Sequence, residues 1–446
     1  MMILRKSKGK RLPSRCMFVF EFSAGHGITD PAVRAIYKGA RKSTVWLHRT
    51  RWDEGPRLAT YLNGDFKKHI NFEGTLTELH QCIKGIQKDE PWLTSGWTLQ
   101  EGVLLESTHL LDLYGKGLFG DFFTTGEQAS VTHLSLHASV LVTHVTTAFV
   151  RYSQGLRSSK DALQGMPEQE KQAIDYINAS PENYKYAATF VATLLRSGFV
   201  CYWGGKQTVL FLLVGSQGRR FMTPEDKCWA LIGALELEGL NPWYSKEPKD
   251  SEGKEEDLRK IKKEFFIPML KKYQWEVLLV PEVQEEAYDR MSWPERVVHG
   301  GVLPLALYWV EDINESLPLL EYDEKNDQLI ITTAEFVRPK SRIFSRHYRQ
   351  KSLDEKEGFI EVDKISAEIV SGHIYLPLRD IPAPYIPSPE PEGWNKIKHG
   401  LRCVDIQLAS GSENSGYFKG IVELWGEPDA FERFTFPKFQ ICGSGS

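Results

Sequence analysis

Trp92-Leu-Thr-Ser-Gly-Trp-Thr-Leu-Gln-Glu-Gly-Val-Leu-Leu105 sets two indoles and one carboxylate in a single short run. Read as a helix, it places Leu93, Trp97, Glu101 and Leu104 on one face, because they recur at spacings of four, four and three. Glu101 then stands on the apolar stripe. A carboxylate there has to be paired, hydrogen-bonded, raised in pKa or open to a cleft, since an unpaired buried charge is too costly to keep.

The flanking sequence alternates between strand and helix patterns. Residues 16 to 22, Cys-Met-Phe-Val-Phe-Glu-Phe, read as a buried strand, and Asp30-Pro31 as a helix start with Val33, Ile36, Tyr37 and Ala40 on its apolar stripe. Ser43 to Leu47 is a second strand, giving a β-α-β unit that predicts parallel pairing with a right-handed crossover. Thr75-Leu-Thr-Glu78 has the form of a capping box before the stripe Leu76, Leu79, Ile83 and Ile86, and Thr108 to Tyr114 reads as a third strand. The expected fold is α/β, with a TIR-like or flavodoxin-like parallel sheet, a helical extension and a β-rich C-terminal domain.

Three regions follow from this pattern: an α/β core over residues 1–125, a mainly helical extension over 126–326, and a β-rich domain over 327–446. In the middle region helical stripes lie near 128 to 150, 168 to 179, 181 to 197, 224 to 237 and 255 to 271, with an apolar strand expected at 207 to 214. Thr223-Pro-Glu-Asp226 is a well-formed helix start, and Lys246 to Lys263 a solvated loop and helix face. From Gln328 onward β-rich runs recur, among them His373 to Pro377, Leu401 to Leu408 and Gly420 to Trp425, which predict a sandwich or barrel-like unit.

Composition excludes several classes. The chain has 446 residues, 41% of them hydrophobic and 12% aromatic, which is ordinary for a globular protein and enough for two or three domains. A net charge of -4 gives no overall attraction to nucleic acid; the basic arm from Arg5 to Arg15 reads as a solvated tail. The six cysteines are scattered without a zinc spacing, which points to reduced thiols in the cytoplasm and no metal. No apolar run reaches the length of a membrane span, the longest being Val209 to Val214.

Ile36-Tyr37, Ala40 and Val45-Trp-Leu47, followed by Gly96-Trp-Thr-Leu-Gln-Glu101, resemble the fungal heterokaryon-incompatibility (HET) domain, with its I-Y-x-x-A-x4-V-W-L pattern and W-T-x-Q-E helix. Asp226-Lys-Cys-Trp-Ala-Leu-Ile-Gly-Ala234 resembles the D-x-x-W/Y-A-L-x-G segment that follows in many members. The resemblance spans roughly residues 16 to 235 and implies a role in fungal non-self recognition and regulated cell death. It also implies a TIR-like domain, in which the glutamate of a W-x-x-x-E helix cleaves NAD. Glu101 has that spacing from Trp97.

On this reading Glu101 is the catalytic residue. Breaking the ribose–nicotinamide bond builds positive charge on the sugar carbon, and a carboxylate held at about 3 Å in a dry cleft stabilises it. Trp97 would pack against the ring or the sugar, while His26, Arg34, Lys38 and Arg49 are candidates for the diphosphate; NAD is a substrate here, and no cofactor is called for. The structural alternative makes Thr98-Leu-Gln-Glu101 a capping box and both indoles core residues. Gly115-Lys-Gly-Leu-Phe-Gly120 lacks the helix that phosphate binding needs and reads as a turn. His133 and His137, four apart, lack a third ligand. Two functions follow: an NAD glycohydrolase, or a HET-like module without catalysis that recognises proteins and self-associates.

Overall fold

A computed structural model describes residues 43–51, 88–99, 108–115, 209–245, 251–279, 282–283, 291–299, 316–350, 360–362, 371–382 and 399–443, with scattered positions between them. The chain divides into two units. The first comprises Met1–Thr143, Thr193–Gln207 and Gly215–Tyr244, and the second His144–Ala192, Thr208–Val214 and Ser245–Ser446.

In the first unit β1 (Ser43–Trp46) runs parallel to β2 (Thr108–Leu111), with Val45 opposite Leu110 and Trp46 opposite Leu111. Period-two alternation orients β1: Val45 and Leu47 are buried and Trp46 is half exposed. The decisive stretch is not one helix. α1 (Pro91–Thr94) starts with proline at its first position and stops at Ser95, which is extended and bridges to Arg220. Helix resumes at Leu99, so Leu93 and Trp97 do not share a helical face.

Arg219 explains the break. Its Nη1 donates to the carbonyls of Trp92 (3.0 Å) and Ser95 (2.8 Å) and to Thr98 Oγ1 (2.8 Å), taking up carbonyls that the end of α1 frees from helical bonding. Gly96 fits beneath the Phe221 ring, where a Cβ would overlap the ring carbons.

The sequence expectation at 207 to 214 is overturned: the run lies in α2 (Val209–Gln217). A short apolar run without periodicity does not distinguish a buried strand from a buried helix. At Thr223-Pro-Glu-Asp226 the expected start forms, with Thr223 N donating to Asp226 Oδ2 (3.1 Å) and Asp226 N to Thr223 Oγ1 (3.3 Å). It leads into two short helices, α3 (Asp226–Trp229) and α4 (Ile232–Leu235), the second ending on Glu236 with a left-handed backbone.

The second unit contains α5 (Ser251–Tyr273), which confirms and lengthens the expected helix, then a 3-10 turn, β3 (Glu282–Val283) and α6 (Trp293–His299). Eight strands follow: β4 (Leu320–Asp323), β5 (Gln328–Pro339), β6 (Phe344–Gln350), β7 (Ile360–Val362), β8 (His373–Pro382), β9 (His399–Leu408), β10 (Ser415–Trp425) and β11 (Phe431–Cys442). Together with β3 they form a nine-stranded sheet in the order β11-β5-β8-β9-β10-β6-β3, with β4 on β5 and β7 on β6.

This architecture overturns the expected TIR-like or flavodoxin-like parallel sheet. The large sheet is antiparallel in nearly all its pairings, and its parallel contacts are the short β10–β11 and β3–β6 registers. Connection length is the physical reason: residues 409–414 alone join β9 to β10, too few for the crossover that parallel neighbours require. The pairing of β10 with β11 completes a ring through β5, β8 and β9, the barrel-like form among the alternatives.

Val337, Tyr375, Leu401, Cys403, Val422 and Leu424 fill one buried cluster. Burial pushes the Cys403 thiol well up, so it is packing rather than chemistry. Polar ties cross the same sheet: Asp405 Oδ1 lies 2.7 Å from His373 Nδ1. Glu423 is flanked in register by Arg402 on β9 and Arg346 on β6, and all three are buried.

Candidate functional site

The carboxyl ends of β1 and β2 present the most functional-looking surface among the described residues. Beyond the strands the outgoing loops stay tied together, with Leu47 N donating to the Leu111 carbonyl (2.7 Å) and Leu113 N to the Thr50 carbonyl (2.9 Å). Two buried carboxylates hold the loops. Glu90, only 1% exposed, accepts from His48 N (3.1 Å), Arg49 N (2.7 Å) and Thr50 Oγ1 (2.6 Å). Asp112 folds its own turn by accepting from Tyr114 N at 2.9 Å.

On this scaffold three large apolar side chains stand in the open: Trp46 at 50% exposure, Leu113 at 42% and Tyr114 at 53%. They form one surface. The Trp46 indole Nε1 donates to the Leu113 carbonyl (3.3 Å), and Gly115, with φ +77, turns the backbone past the edge of that indole. Arg51 lies over the Tyr114 ring at 4.9 Å from its centroid and donates to its hydroxyl. His48 and Arg49 are exposed beside them. Three basic residues, His48, Arg49 and Arg51, lie on this loop, while Glu90 and Asp112 accept from backbone donors.

Of the residues singled out in the sequence, Arg49 lies in this surface, with its backbone N–H committed to Glu90 and its side chain outward. Trp97 is half-buried in the turn between Ser95 and Leu99. Glu101, His26, Arg34 and Lys38 lie outside the described residues, as do His133 and His137. Gly115 closes the turn from Asp112, its N–H donating to the Asp112 carbonyl (2.9 Å); the remainder of its glycine-rich run lies outside the described residues.

The segment from Asp226 to Ala234 is structural. Trp229 is buried and its Nε1 donates to the Trp243 carbonyl (2.9 Å), while Asp226 caps the turn and accepts from Tyr244 OH (2.9 Å). Burial and that carboxylate push the Tyr244 hydroxyl up in pKa.

Glu90, Leu113, Tyr114 and Arg51 were not singled out by the sequence reading, and Trp46 entered it only within the Val45-Trp-Leu47 pattern. Pro91 marks a helix start, so a carboxylate at position 90 stands where capping groups stand; the exposure of Trp46 had no such signal. Among the described residues no cluster of histidine, cysteine, aspartate or glutamate is arranged to hold a metal ion, and no helix is long and apolar enough to cross a membrane. Compared with known proteins, the chain matches no family model, no curated protein and no solved structure.

Proposed function

We propose that this chain is a HET-domain-like protein of fungal non-self recognition and regulated cell death that acts in the cytoplasm by recognising other proteins. The observation that carries this reading is the exposed Trp46–Leu113–Tyr114 surface with Arg49 and Arg51. Tryptophan, tyrosine and arginine are the residues that dominate binding energy at protein interfaces, and apolar side chains of this size are seldom left together in water without a use.

NAD cleavage through Glu101 is the rival. It drew its force from a TIR-like sheet, which the antiparallel architecture replaces, and it rests on Glu101, which lies outside the described residues. The deciding experiment expresses the full chain in fungal cells and scores the death response. Recognition predicts that Trp46→Ala with Tyr114→Ala abolishes the response, that Glu101→Ala retains it, and that purified protein releases no nicotinamide from NAD. Nicotinamide release that disappears in Glu101→Ala overturns the reading.

A further inference from the structure

Resting on the recognition reading, we propose that the Trp46–Leu113–Tyr114 surface takes an acidic segment of a partner protein that carries an apolar anchor residue. Charge decides the class of occupant. The three exposed apolar side chains offer a seat for the anchor, and the loop that leaves β1 carries three basic side chains, His48, Arg49 and Arg51, against the one exposed acid described near it, Asp89 beside Glu90. A basic segment meets like charge here and an acidic one finds its complement.

The seat is also preformed. Glu90 fixes residues 48 to 50, Asp112 fixes the turn through Tyr114, and the Trp46 indole is anchored on the Leu113 carbonyl. Little conformational freedom remains to be lost on binding. Arg51 is already held against Tyr114, so the acidic groups of the partner engage a guanidinium of set orientation.

Fluorescence anisotropy on the full chain tests this with three labelled synthetic peptides: glutamate alternating with leucine, its lysine–leucine counterpart and its glutamine–leucine counterpart. The glutamate peptide should bind tightest and weaken as salt rises. Trp46→Ala should weaken it about tenfold or more and Arg49→Glu roughly threefold to tenfold. Trp46 and Arg49 are exposed, and unchanged circular dichroism checks that both variants fold.

Equal binding of all three peptides, each weakened by Trp46→Ala, overturns the acidic partner and leaves recognition through this surface standing. Binding that ignores Trp46→Ala overturns both. No binding of any peptide overturns the acidic segment alone, with recognition then judged by the death response. Displacement of the glutamate peptide by NAD would mark a nucleotide site and overturn the proposal.

Discussion

Glu90 shows how a single buried carboxylate can shape a surface it does not reach. Its oxygens take two backbone N–H groups and one hydroxyl from residues 48 to 50, so the loop that displays Arg49 is held from beneath. Deleting the carboxylate leaves those partly buried donors without their acceptor. Glu90→Ala should therefore destabilise the first unit by about 1–3 kcal/mol, the cost of leaving such donors unsatisfied. Chemical denaturation followed by circular dichroism measures it, and a loss under about 1 kcal/mol would show that the loop holds its shape without Glu90. Arg219 acts in the same way on the other side of α1, converting a predicted helix into two pieces by engaging Trp92, Ser95 and Thr98.

At the scale of elements, the join at Ser95 to Trp97 sets where the decisive stretch bends. Gly96 N donates to the Arg220 carbonyl (2.9 Å), and its hydrogen-side face lies against Phe221 with no room for a methyl group. Gly96→Ala should cost about 1–3 kcal/mol by displacing that ring. Gly96→Ala with Phe221→Leu should recover part of the loss in a thermal melt, whereas strictly additive effects would argue against the clash. The same place shows what local sequence can and cannot disclose. Pro91 announces α1, the Thr223–Asp226 pattern announces its turn, and the β-branched runs of the C-terminal half announce β5, β8, β9 and β10, because each signal is local. The break at Ser95 depends on Arg219, more than a hundred positions away, and the helix at Val209–Gln217 reads as a strand because its residues are apolar all round. β11 escaped notice since its burial follows no clean alternation, with Phe434 and Phe436 half-buried and Pro437 between Phe436 and Lys438. In the candidate surface only Arg49 was legible. An exposed Trp46 and a buried Val45 follow from which face the fold covers, and neither residue announces that alone.

For the whole molecule, burial sets an alkaline limit. Tyr322 and Tyr375 are pushed well above the ordinary value of 10.0, first by desolvation and then by Asp327 and Asp405 respectively, and Tyr244 is raised in the first unit. A folded value above the unfolded one means that the contribution is fully present below about pH 10 and is lost as pH rises through the folded values, because the unfolded chain ionises first. Absorbance at tyrosinate wavelengths should thus rise in two stages, the later one together with unfolding; simultaneous ionisation of all tyrosines ahead of unfolding would contradict it.

The sheet itself depends on a charge row. Arg402 Nη2 meets Glu423 Oε1 at 2.9 Å and Arg346 Nη1 meets Oε2 at 3.4 Å, so one carboxylate on the middle strand joins β9, β10 and β6, with the Arg346 guanidinium over the Trp425 ring at 5.3 Å. All three are at most 5% exposed. Such a row specifies register more than it adds stability, because desolvation offsets much of the attraction; removing only the carboxylate is another matter. Glu423→Ala sets two buried guanidiniums against each other and should cost about 3–5 kcal/mol. Replacing all three positions by leucine or methionine should restore most of it. A triple variant no more stable than Glu423→Ala would show that the row contributes net stability, and the specificity argument would fail.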